Sequence, residues 1–141
     1  MTPYLFVYAS LRKGFRSPAY GYITQFFKPA GDAFVHGRFY EANGIPVAAP
    51  EQNYIIPGEL YVLKDADNFS WAMCQLDDYE GLNVEDGQIP DYKREIVIAW
   101  QDDKPVEAWI YWYNMSVTGL NSIPVEEVTR FIDAMNQDGN G

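Results

Sequence analysis

Three carboxylates crowd into four positions of LDDYEGL: Asp77, Asp78 and Glu80. Upstream, Phe69, Met73, Leu76 and Tyr79 recur at helical spacing, so a helix over 66–80 is expected, stopped by Gly81. At about 100° per residue, Leu76 and Glu80 share nearly one face. Leu76 belongs to the apolar stripe, which turns Glu80 toward the edge of the core and leaves Asp77 and Asp78 in solvent. Glu80 also ends the helix, where the dipole disfavours negative charge. Burial and the dipole both raise a carboxyl pKa, and a carboxyl tuned that way can move protons near neutral pH. The plain alternative is a frayed last-turn glutamate in solvent.

The other polar residues carry weaker signals. Glu59, in PGELY, sits mid-strand and could face either side of a sheet. Arg94, in YKREIV, alternates with Ile96 and Ile98. Turned inward it needs an anion, with Glu59 or Glu80 as candidates; on the outer face it needs none. Tyr111 and Tyr113 share a strand face in WIYWY and suit either a cavity wall or a packed core. Cys74 reads as helix packing, and His36 has no recognisable partner. Ser10 lacks a G-x-S-x-G setting, which argues against a serine hydrolase. Near the N-terminus, VYASLRKG runs a strand into a small-residue turn followed by cations. Such a turn exposes backbone N–H groups, which bind anions.

Strands are expected at 4–8, 35–42, 56–63, 93–100 and 106–113, the last two as a hairpin across QDDKP. Asn43-Gly44 is a strong turn signal. Besides 66–80, with Asp65 or Asp67 as its cap, helices are expected over 17–27 and 124–135. Strands dominate in mixed order, so the fold class is α+β: a curled sheet or small barrel of five or six strands with two or three helices.

The chain has 141 residues, which suit one domain over 1–137 with 138–141 as a frayed tail. Twenty acidic against ten basic residues give a net charge of −10, which argues against nucleic acid and anionic membranes as partners. A small anionic ligand in a locally positive pocket remains compatible with that charge. One cysteine excludes an internal disulfide, and one cysteine with one histidine excludes the usual zinc sites. No signal peptide and no apolar run of about 18 residues is visible, so a cytoplasmic protein is expected. Four Trp and eleven Tyr exceed what the core obviously needs, and a homodimer interface is one use for the surplus.

Taken in order, LFVYASLRKG, HGRFYEANGIPVAAP, PGELYVL, LDDYEG, YKREIVIA and EAWIYWY resemble the blocks of the γ-glutamylcyclotransferase-like family, which includes γ-glutamylamine cyclotransferases and AIG2-like proteins. The resemblance spans roughly residues 4–113. It implies a small mixed β-barrel flanked by helices, with a cavity at one end. It also implies release of 5-oxoproline and a free amine from a γ-glutamyl small-molecule substrate, without metal or organic cofactor. By the same resemblance, backbone amides of Tyr8, Ala9, Ser10 and Leu11 hold the substrate carboxylate. Glu80 is the catalytic residue, and Tyr111 or Tyr113 contacts substrate. Ala9 stands where the family usually has glycine. If that position needs φ > 0, alanine costs roughly 1 kcal/mol. The competing reading is a non-catalytic domain of the same fold that binds a small carboxylate or a partner protein.

Overall fold

A computed structural model describes residues 2–8, 23–128 and 130. Six strands run β1 (Tyr4–Val7), β2 (Phe27–Ala42), β3 (Ile45–Leu63), β4 (Tyr92–Gln101), β5 (Lys104–Tyr113) and β6 (Ser122–Ile123). One α-helix, α1 (Phe69–Tyr79), lies between β3 and β4 after a 3-10 turn at Ala66–Asn68. Asp65 caps that turn by accepting the Asp67 N–H at 3.0 Å. Residues 23–26 and 125–128 are also helical. The rest of the expected helix at 17–27 lies outside the described residues, except Phe27, which already belongs to β2. Most of the expected C-terminal helix and the tail lie outside them too.

The strands hydrogen-bond in the order β3-β1-β5-β4-β2-β6, and β2 also pairs with β3, so the bonding runs in a ring with β6 attached. Every pairing is antiparallel except β1 with β5, where Leu5 faces Trp109. The α+β class and the strand count agree with expectation. β2 and β3 are much longer than the strands expected at 35–42 and 56–63. Pro29, Gly31, Pro46 and Pro50 look like breakers, yet register shifts between Pro29 and Gly31 and between His36 and Gly37 absorb the irregularity. The two-residue β6 is too short to leave a periodic signal.

The sheet has an apolar layer on each face. Inside the ring, Phe6, Val35, Phe39, Ala48, Ile56, Leu60, Ala99, Ala108, Ile110 and Trp112 form one buried cluster. On the other face, Leu5, Val7, Tyr61, Leu63 and Tyr111 pack under Ala72, Met73 and Leu76 of α1. Alternation does this sorting: Phe6 and Val7, or Tyr111 and Trp112, are adjacent in sequence and point to opposite layers. Gly58 lets β1 and β3 approach closely, since a Cβ there would lie 2.3 Å from the Val7 carbonyl oxygen.

Candidate active site

The helix α1 ends in a closed turn that fixes the position of Glu80. Gly81 adopts φ +76, which glycine takes without a Cβ clash. Its N–H donates to the Asp78 carbonyl at 3.1 Å, and the Leu82 N–H donates to the Asp77 carbonyl at 2.9 Å. These are the two bonds of a Schellman cap, with Glu80 as the C-cap residue. Leu82 then packs onto the cluster that contains Leu76, which completes the motif with its apolar contact. The sequence LDDYEGL thus builds a stop that leaves the Glu80 side chain part-buried.

Burial raises the Glu80 carboxyl from about 4.5 to about 7. Three tyrosines from three strands feel its charge. Tyr8, at the end of β1, has its pKa pushed up by burial, then by Glu80 and by Tyr92. Burial, Glu80, Asp91 and Tyr113 push Tyr92 on β4 up to about 12. Tyr111 on β5 is raised by burial and by its hydrogen bond to Asp77, with a smaller contribution from Glu80. All three hydroxyls therefore stay protonated at neutral pH; those of Tyr8 and Tyr111 spend their protons on the Tyr111 carbonyl and on Asp77.

Tyr8 donates its hydroxyl to the Tyr111 carbonyl and sets its ring among Phe6, Phe39 and Trp112, at centroid distances of 6.3, 5.8 and 6.4 Å. Tyr113 is half-buried and meets the Tyr92 ring edge-on at 6.0 Å. Of the residues expected at the site, Glu80, Tyr8, Tyr111 and Tyr113 are brought to this end of the sheet. Ala9, Ser10 and Leu11 lie outside the described residues.

Three expectations are corrected. Asp77 is not solvated: it is part-buried and accepts Arg94 Nε at 2.8 Å and Nη2 at 3.1 Å, in a fork-to-carboxylate pair. The Tyr111 hydroxyl donates to the same Asp77 oxygen, Oδ1, at 2.7 Å. Arg94 therefore pairs with neither Glu59 nor Glu80, and its guanidinium stacks over Trp109 at 4.5 Å. The helical wheel missed this because it considered one partner surface beneath α1, whereas β4 brings Arg94 to the helix flank. Cys74, expected to pack, is exposed. Asp78 is exposed as expected and accepts Asn83 Nδ2. His36 meets the Phe34 ring edge-on at 5.9 Å.

Sequence reasoning also missed Tyr92. Its signal was available, since Tyr92 and Arg94 alternate on one face of a strand and lie opposite Tyr113 and Tyr111. Among the described residues no cluster of His, Cys, Asp or Glu could hold a metal ion. Among them, too, no helix is long and apolar enough to cross a membrane.

Comparison with known proteins agrees with this fold. The sequence model of the family described as "Gamma-glutamyl cyclotransferase, AIG2-like" matches residues 5–129. No curated protein matches the sequence. Among solved structures, the fold is similar to an AIG2-like protein of Mus musculus, with TM-score 0.59 and 18% identity over 86% of this chain and 85% of that one. It is also similar to YkqA of Bacillus subtilis, with TM-score 0.60 and 21% identity over 87% of this chain but only 38% of that longer one. A third similar structure is a gamma-glutamyl cyclotransferase, with TM-score 0.53 and 13% identity over 100% of this chain and 81% of that one. At these identities the likeness establishes the fold.

Proposed function

The chain belongs to the γ-glutamyl cyclotransferase, AIG2-like family, and from that premise we propose that it converts a γ-glutamyl amide into 5-oxoproline and a free amine, with Glu80 as general acid and base. Family membership supports cyclotransferase-type chemistry in general. The observation that carries the specific reading is Glu80 itself: a part-buried carboxyl poised at about 7, at the position that the family resemblance makes catalytic, with Tyr8 and Tyr92 close enough to feel its charge.

The reaction closes a five-membered ring within one molecule. The substrate's α-amine attacks its own γ-carbonyl, so the protein's main task is to hold the substrate folded. Glu80, ionised, takes the proton that the attacking amine sheds. A tetrahedral oxyanion forms, which a protonated hydroxyl such as that of Tyr92 would stabilise. Glu80 then returns the proton to the departing amine as the C–N bond breaks, and ends ionised again. Backbone amides of Tyr8, Ala9, Ser10 and Leu11 would hold the substrate's α-carboxylate, and the Tyr113 ring would border the γ-glutamyl group.

The test is 5-oxoproline release across a panel of γ-glutamyl amides, wild type beside Glu80→Gln. Loss of about a hundredfold or more in the variant is expected. The wild-type kcat/KM should rise with pH through about 7 as Glu80 ionises. Ala9 in place of the family's glycine favours the second reading, a binding domain without turnover. That reading gains if γ-glutamyl compounds raise Tm while no 5-oxoproline forms in any of them.

A further inference from the structure

We propose that Asp77 is the positioning residue for Glu80, clamping the last turn of α1 to β4 through Arg94 and to β5 through Tyr111. The inference deepens the reading of Glu80 as acid–base catalyst and rests on it for its kinetic consequence.

The geometry is that of a three-way tie. One carboxylate receives the Arg94 fork at 2.8 and 3.1 Å and the Tyr111 hydroxyl at 2.7 Å. Asp77 lies three residues before Glu80, and its own carbonyl closes the cap by accepting the Leu82 N–H. Its side chain thus holds the turn to the sheet while its main chain holds the turn to itself. Arg94 is in turn braced on the Trp109 ring. Without the tie, the end of a helix is the part that frays first.

Among the described residues, the groups that feel the charge of Glu80 are Tyr8, just past β1, Tyr92 on β4 and Tyr111 on β5, with Asp91 and Tyr113 acting in turn on Tyr92. Arg94 and Asp77 form the outer pair on the helix flank. This makes Arg94→Gln a discriminating variant. If Arg94 acted on Glu80 only through its charge, removing the cation would raise the Glu80 pKa. If Arg94 acts by holding the turn, removing it admits water to Glu80 and lowers that pKa toward the ordinary carboxylate value. The two mechanisms predict opposite signs.

The experiment is a carboxyl-carbon NMR titration of the full chain, with Glu80 assigned by Glu80→Gln, in wild type, Arg94→Gln and Tyr111→Phe. Tyr111→Phe keeps both charges, removes one bond of the tie and serves if Arg94→Gln fails to fold. The expected result is a downward shift in each folded variant by about a unit. A fall in kcat of tens- to a hundredfold, with KM nearly constant, should accompany it. An unchanged or raised Glu80 pKa in a folded variant overturns the proposal. If the pKa falls in the variants but the wild type turns over no substrate, the tie stands and the catalytic reading fails.

Discussion

Tyr111 and Trp112 are neighbours on β5 and belong to different worlds. Trp112 points into the ring, among aliphatic and aromatic side chains with the Tyr4 and Tyr8 rings packed against them. Tyr111 points the other way, under α1, where an apolar layer ends in Asp77, Arg94 and Glu80. The ring interior can be optimised for packing alone. The helix layer must pack and also hold a carboxyl in a setting that costs it ionisation. The site lies where the two meet: Tyr8 rests its ring on Trp112 and donates its hydroxyl to the Tyr111 carbonyl.

The contrast can be broken by matched truncations. Ile56, in the ring, and Met73, on α1, are both essentially fully buried. Each change to alanine should cost about 2–5 kcal/mol, measured by urea unfolding. The difference should appear in turnover per folded molecule. Ile56→Ala should retain it, whereas Met73→Ala should lose it, because only Met73 seats the helix that carries Glu80. Equal turnover in both would erase the distinction drawn between the layers.

A pH series sharpens the same point at a smaller scale. The folded pKa of Glu80 is raised, so between about 4.5 and about 7 the folded state holds more of this proton than the unfolded chain. Stability from this group is therefore fullest below about 4.5 and falls as pH rises through about 7, by about 3 kcal/mol in all. The difference in unfolding free energy between wild type and Glu80→Gln should trace that slope and flatten above it. A flat difference would mean that Glu80 is as well solvated folded as unfolded. The smallest effect expected is Gly81→Ala. It places a Cβ at φ +76 and should cost about 1–2 kcal/mol, visible as a lowered Tm.

What could be read from the sequence follows the number of surfaces each residue touches. Glu80 was legible because one period and one glycine decide its place: Leu76 sets the face and Gly81 sets the stop. The hairpin of β4 and β5 was legible because its alternation is uninterrupted. Asp77 was not, because its partners sit on two strands at 94 and 111, distant in sequence and brought to the helix flank only by the closed ring. β2 and β3 were half legible. Their prolines and glycines are real irregularities, but pairing along nearly their whole lengths carries the strands through them.

The single parallel pairing in the sheet has a consequence for how the molecule comes into being. β1 pairs with residues 59–62 on one side and with Trp109 on the other, so its two edges are filled from very different distances along the chain. The β3 edge of β1 can form once residue 62 has been made, but the β5 edge waits for a strand about a hundred residues beyond β1. This is a contact of high order, slow to form and late to pay back its closure entropy. Tyr8 follows directly on β1, so its hydrogen bond to the Tyr111 carbonyl forms only when β5 docks and the ring of strands closes.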